Sequence, residues 1–282
     1  MELVTTVQQV RQQVKAWRKE GLTVGLVPTM GFLHEGHQSL IARAAKENDR
    51  VVVSVFVNPI QFGPNEDFAQ YPRDLEQDSA LCEATGASLL FHPEPEEMYP
   101  EHFSTHVDVD GVTENLCGAR RPGHFRGVCT VVSKLFHIVA PDRAYFGEKD
   151  AQQLAVIRRM VRDLNFDIEI VGCPIVREAD GLAKSSRNTY LSPQERRAAL
   201  VLNRALTAGR TAMERGERRA QAILSIIRDE LDEEERANVD YVKMVDSVTM
   251  EDVETAQRDV LVAIAVYIGK TRLIDNFTFH VE

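Results

Sequence analysis

The sequence predicts an α/β architecture: a doubly wound parallel sheet in the first part of the chain and a smaller α+β unit in the second. Three observations predict it. Strand-like and helix-like segments alternate through residue 171. The run Val51-Val52-Val53-Ser54-Val55-Phe56-Val57 is so apolar that both of its faces must be covered, as in a parallel sheet with helices on either side. After about residue 180 the alternation gives way to helices followed by strands. The first part is therefore expected to be Rossmann-like, with ligands beyond the carboxyl ends of its strands.

The elements follow in order. Val7, Val10, Val14 and Trp17 recur at helical spacing, so a helix is expected over 3–20. The apolar run from Leu22 to Val27 gives a buried strand over 22–28. Leu40, Ile41, Ala44 and Ala45 give a helix over 37–48, and residues 51–57 form the next strand. A helix is read over 74–85 and a strand over 87–91. Helices over 127–139 and 150–164 flank a short strand at Tyr145-Phe146, and a further strand runs from Phe166 to Val171. Ser192-Pro193-Gln194-Glu195 reads as a helix start: a capping Ser, a Pro in the first turn, and a Glu three positions on to close the box. That helix is expected to reach about Arg215, with a second over 217–235 and strands at Tyr241–Val245, Val260–Tyr267 and Arg272–Phe277. The predicted domains are 1–178 and 179–282.

Composition excludes some functions. The 282 residues are 44% hydrophobic and 27% charged, as in a soluble globular protein. A net charge of -10 argues against non-specific binding of nucleic acid or an anionic membrane surface. Cys82, Cys117, Cys129 and Cys173 show no disulfide framework and no C-x-x-C pair, which suits reduced thiols. The first 17 residues lack the basic start and apolar core of a signal peptide. No apolar run approaches the roughly 18 residues of a membrane span. A cytoplasmic protein with no membrane and no nucleic-acid partner is the expectation.

The richest stretch is Pro28-Thr29-Met30-Gly31-Phe32-Leu33-His34-Glu35-Gly36-His37. Its glycines permit tight turns and close approach to a ligand. His34 and His37 fall where a strand hands over to a helix N-terminus, whose N–H groups and dipole suit an anion. A cap or a surface pair is the plainer alternative, and His-x-x-His alone is a poor zinc signature. Three other segments carry chemistry. In Phe146-Gly147-Glu148-Lys149-Asp150, followed by Gln152 and Gln153, Lys149 suits a phosphate and Asp150 suits ribose hydroxyls; an ordinary charged loop reads the same way. Asp180-Gly181-Leu182-Ala183-Lys184-Ser185-Ser186-Arg187-Asn188 offers backbone N–H groups, hydroxyls and cations to a triphosphate, or is a polar linker. Arg120-Arg121-Pro122-Gly123-His124-Phe125-Arg126-Gly127 precedes an apolar helix and fits a carboxylate or phosphate site, or a surface turn.

Together these segments resemble the pantothenate synthetase family, the pantoate–β-alanine ligases of the nucleotidylyltransferase superfamily. The resemblance rests on P-T-M-G-x-L-H-E-G-H at 28–37, N-P-x-Q-F at 58–62, Y-P-R at 71–73, R-P-x-H-F at 121–125, F-G-E-K-D-x-Q-Q at 146–153, V-R-E-x-D-G-L-A at 176–183 and S-S-R-N at 185–188. The motifs run in order over the first two-thirds of the chain; the last third has few distinctive residues.

The resemblance implies ATP, pantoate and β-alanine as substrates, Mg²⁺ as cofactor, and a homodimer. Pantoate's carboxylate attacks the α-phosphorus of ATP, giving pantoyl adenylate and pyrophosphate. The amine of β-alanine then gives pantothenate and AMP. By resemblance, His34, His37 and Lys149 are catalytic. Met30, Gly31, Phe32, Leu33, His34, Glu35, Gly36, His37, Gly147, Glu148, Lys149, Asp150, Val176, Lys184, Ser185, Ser186 and Arg187 line the ATP site. Gln61, Gln153 and Asn58 serve pantoate and β-alanine, and Asp78 is a candidate Mg²⁺ ligand. Residues 1–178 would bind ATP and pantoate, and 179–282 would form a lid. Two positions depart from the family pattern. Lys184 stands where many members have Met, and reads as a phosphate contact. Phe32 stands where a small residue is common, and narrows the apolar floor. Two other readings are a nucleotidylyltransferase that adenylylates a phosphate and stops, and a non-catalytic nucleotide- or metal-binding protein.

Overall fold

Helix α1 (Val7–Lys19) starts at Thr6, whose hydroxyl accepts from Gln9 N–H while the Gln9 side chain turns back to the Thr6 N–H, a capping box. It follows strand β1 (Glu2–Val4), so the helix predicted from residue 3 begins four residues later. The computed structural model describes residues 1–64 and 66–281. Contacts divide the chain into two compact units.

The first unit comprises Met1–Val109, Arg121–Glu148 and Val156–Pro174. Its strands are β1, β2 (Val24–Thr29), β3 (Arg50–Val55), β4 (Leu89–Phe91), β5 (Arg143–Gly147) and β6 (Glu169–Cys173), in the order β1-β4-β3-β2-β5-β6. Every pair is parallel. β1 forms because Glu2, Leu3 and Val4 pair with Leu89, Leu90 and Phe91. That partner lies far along the chain, so local periodicity read these residues as helix.

Helices α2 (Glu35–Glu47), α3 (Leu75–Thr85), α4 (Pro95–Met98), α5 (Leu116–Arg120), α6 (His124–Val139) and α7 (Ala151–Asp163) follow in chain order. Of these, α5 and the first turn of α7 group with the second unit. On one face of the sheet Leu40, Ile41 and Ala44 of α2 and Cys82 of α3 pack with Val27, Val51, Val53, Val55, Leu90 and Tyr145. α6 packs against β2 and α1. β3 is buried from Val51 to Val55, as its all-apolar run requires.

The second unit comprises Asp110–Arg120, Lys149–Ala155 and Ile175–Glu282. Ser192 closes the expected capping box with Glu195. The single helix predicted to Arg215 is two, α8 (Pro193–Ala198) and α9 (Leu200–Glu214), joined at Ala199. α10 (Ala220–Asp232) follows, then an antiparallel meander of β7 (Ala237–Asp246), β8 (Val260–Ile268) and β9 (Thr271–Phe279). β8 is central, so β9 has one open edge. Leu202, Leu206, Ile223, Ile227, Val262, Ile264 and Phe277 belong to its core.

Candidate active site

The chain turns sharply after β2. Gly31 takes φ +84°, and a Cβ there would meet Val55 at 2.9 Å and Asp78 Oδ2 at 3.0 Å, so the turn accepts glycine for both reasons. Phe32 also lies at positive φ, +50°, a strained conformation for a bulky side chain. Asp78, on α3, holds the turn: its Oδ2 accepts Phe32 N–H at 2.9 Å and its Oδ1 accepts Leu33 N–H at 2.6 Å. Burial pushes this carboxyl upward, and the two N–H donors pull it back in part.

Asp78, the residue offered to magnesium, is 1% exposed with both oxygens engaged by backbone, so it braces the turn. Among the described residues no group of three or more His, Cys, Asp or Glu is placed to hold a metal ion. Asp78→Ala should strand two buried donors and lower stability by about 3 kcal/mol, read as a lower urea midpoint.

His34 is the N-cap of α2, and His37 completes its first turn. Gly36 N–H donates to His34 Nδ1 at 3.1 Å, and His34 N–H to His37 Nδ1 at 3.3 Å. Both Nδ1 atoms accept, so each neutral ring carries its proton on Nε2, a donor suited to phosphate oxygen. The ring centroids are 4.2 Å apart. Gly36 is helical and makes no turn, contrary to the sequence reading; its service is the N–H to His34.

The sheet places this turn at a topological switch point. From β2, chain order runs outward through β3 and β4 on one side and β5 and β6 on the other. The carboxyl ends of β2, β3 and β5 thus carry Met30–His37, Asn58–Gln61 and Gly147 on three adjacent strands. One link is direct: Gln61 Nε2 lies 3.1 Å from Met30 Sδ.

Gln61 is held by a polarised chain of hydrogen bonds. Asn58 is 1% exposed; its Nδ2 donates to the Gly127 carbonyl at 3.1 Å and to Gln61 Oε1 at 3.0 Å. Tyr99 OH donates to Asn58 Oδ1 at 2.6 Å. A carbonyl can only accept, so Gly127 fixes which end of the Asn58 amide is nitrogen. Asn58 in turn fixes Gln61, whose Nε2–H₂ is left as the end that can donate. Gly127 is required by proximity, because a Cβ there would lie 2.5 Å from Gln61 Cα.

The Arg120–Gly127 segment supports this network. His124 Nδ1 lies 2.9 Å from the Gln61 carbonyl, and Arg121 pairs with Glu66 through two bonds of 2.6 and 2.7 Å. The Arg121 guanidinium thus faces a carboxylate of the chain itself, unlike the anion site considered from sequence.

Apart from Glu148, which ends a segment of the first unit, the second unit holds the remaining expected residues. Lys149 and Asp150 lie in a 3₁₀ turn (Glu148–Asp150) leading into α7, which carries Gln153. Lys149 is half-buried and Asp150 exposed. Gln152 is buried, and its side chain donates to Val112 O and Asn115 O and accepts from Gly118 N–H. Val176–Lys184 is a small hairpin, closed by Lys184 N–H to Val176 O at 2.9 Å and Glu178 N–H to Leu182 O at 2.8 Å. Arg196 ties Glu178 and Asp180 on its turn side. Directly after it, Ser185 caps a 3₁₀ turn (Ser186–Tyr190), its Oγ accepting Arg187 N–H at 3.3 Å. Lys184, Ser185, Ser186 and Arg187 are thus consecutive on a braced support.

Sequence reading passed over Tyr99, Asp275 and Asn276. Tyr99 sits in a Met-Tyr-Pro stretch without a motif. Arg177, inside the V-R-E motif, was the one available signal for its partner Asp275.

A sequence model of the family described as pantoate-beta-alanine ligase matches residues 2–278. A pantothenate synthetase of Enterococcus faecalis is 62% identical over 282 residues, covering 100% of both chains. One from Clostridium acetobutylicum is 61% identical over 281 residues, again covering 100% of each. The crystal structure of pantothenate synthetase from Thermus thermophilus superimposes with a TM-score of 0.92 at 49% identity, covering 98% of this chain and 99% of that one. That of a pantoate-beta-alanine ligase from Francisella tularensis, complexed with beta-gamma ATP and beta-alanine, gives 0.80 at 33% identity, covering 98% and 97%.

Proposed function

The chain belongs to the pantoate–β-alanine ligase family, and from that premise we propose how its residues carry the reaction. The activity is the ATP-dependent condensation of pantoate with β-alanine to pantothenate through pantoyl adenylate, releasing pyrophosphate and then AMP. In the first step a pantoate carboxylate oxygen bonds to the α-phosphorus as the bond to pyrophosphate breaks. In the second, the β-alanine amine bonds to the acyl carbon, AMP leaves, and the amine gives up its proton.

A carboxylate and a triphosphate repel, so the first step needs fixed positive groups and donors. The proposed set is His34, His37, Lys149, Lys184 and Arg187, with Ser185 and Ser186 donating to phosphate. Gly147 and Asp150 take the ribose, Val176 meets adenine through backbone, and Met30–His37 line the nucleotide. Gln61 and Gln153 hold pantoate, with Asn58 behind Gln61. Amides are suited to pantoate because they orient a carboxylate and hydroxyls without the strong ion pair that would blunt the nucleophile. The reading is supported most by the histidine pair, set on a helix N-terminus with both Nδ1 atoms engaged by backbone.

Magnesium is the expected cofactor, brought to the site on the triphosphate. The division into an ATP- and pantoate-binding part (1–178) and a lid (179–282), a homodimer, and a cytoplasmic location belong to the same proposal. No helix of the described residues is long and apolar enough to cross a membrane.

The test is an AMP-release assay with each substrate omitted in turn. AMP should need pantoate and β-alanine together, while ATP–pyrophosphate exchange should need pantoate alone. Exchange independent of pantoate would point to a nucleotidylyltransferase, and bound nucleotide without turnover to a non-catalytic binder.

A further inference from the structure

We infer that Asp275 and Asn276, successive residues of edge strand β9, are positioning residues for the two nucleotide loops of the second unit. This rests on the proposed roles of Lys149 and of Lys184–Arg187. Asn276 Nδ2 donates to the main-chain carbonyl of Lys149 at 2.8 Å. Asp275 receives Arg177 through two bonds, 2.7 Å to Oδ2 and 2.9 Å to Oδ1. Arg177 Nη1 also donates to the Gly181 carbonyl at 3.1 Å, which braces the turn of the hairpin that carries Lys184. A third bond couples the pair: Asn276 N–H donates to Asp275 Oδ1 at 2.8 Å.

Neighbouring side chains on a strand point to opposite faces, so one residue can serve each loop. Both are buried, Asp275 at 2% and Asn276 at 5% exposure, on a strand whose hold on the core comes from Leu273 and Phe277. The bidentate guanidinium pair is the rigid form of ion pairing, and it fixes orientation as well as distance. Placement errors near 1 Å can cost roughly 10²-fold in rate, so a support common to both loops acts on catalysis without touching substrate. Lys149 and Gly181 are 32 residues apart in sequence, yet the carbonyl of one is held by Asn276 and that of the other, through Arg177, by Asp275.

The test is a mutant cycle read by pantoate-dependent pyrophosphate release. Asn276→Ala should lower kcat about tenfold and raise KM for ATP several-fold, with KM for pantoate within about twofold and the melting temperature within a few degrees. In a Lys149→Ala background the same substitution should add little, because it acts through that lysine. Asp275→Asn should behave likewise in an Arg187→Ala background. Full additivity, or wild-type kinetics with only a lower melting temperature, overturns the inference and leaves a purely structural pair. If Asn276→Ala does not fold, Asn276→Asp, of the same shape without the donor, replaces it. Lys149→Ala alone is the control for the underlying reading: full activity there sinks that reading, whatever Asn276 does.

Discussion

Lys149→Ala and His37→Ala are each expected to fold normally and to lose about 10²–10³ in the rate of pantoate-dependent pyrophosphate release, as removal of one preorganised donor to developing charge typically does. The expectation rests on where the groups are mounted. His37 sits in the first turn of α2, with Nδ1 engaged by the His34 N–H. Truncating it leaves helix α2 anchored by Leu40, Ile41 and Ala44, which lie in the core. Lys149 is half-buried, and its main-chain anchor to Asn276 does not depend on its side chain. Activity should therefore fall far more than stability. Near-normal pyrophosphate release by either folded variant contradicts the assigned role.

Gln61→Ala is expected to raise KM for pantoate by about 10- to 100-fold, the value of one or two hydrogen bonds to a charged ligand, while ATP affinity stays within about threefold. The bond chain from the Gly127 carbonyl through Asn58 turns the Gln61 amide so that Nε2–H₂ is its donor end. Its ligand must then present acceptors, as a carboxylate or hydroxyl oxygen does. Gln61→Glu should be at least as damaging as Gln61→Ala, because a carboxylate there has only acceptors to offer. A titration in which Gln61→Ala weakens ATP and pantoate equally counts against the assignment.

Much of this was legible locally. The turn after β2 announced itself through Gly31 and the two histidines, and α2 follows it, starting at Glu35, two residues before the predicted 37, with His34 as its cap. Ser192 and Glu195 marked the start of α8. Such signals act over three or four residues, so sequence carries them intact. The same logic explains the misses. β1 is a strand because of Leu89–Phe91, and the long helix after Ser192 is interrupted at Ala199.

The site divides in the same way. The family resemblance, carried by the ordered motifs, pointed to His34, His37, Gln61, Lys149 and Arg187. It offered Asp78 to a metal, although that carboxylate is consumed by the N–H groups of Phe32 and Leu33. It was silent on Tyr99, Asp275 and Asn276, whose partners are 41, 98 and 127 residues away.

By itself, then, the chain declared its alternating α/β class, its caps and turns, and the motifs from which the proposed site is drawn. Tertiary structure alone decided the strand order, the direction in which the Gln61 amide faces, and the supports beneath the reactive loops. The reason is range. Caps and periodicity are settled by neighbours within a turn of helix, whereas a buried polar group must find its partner wherever folding happens to bring one.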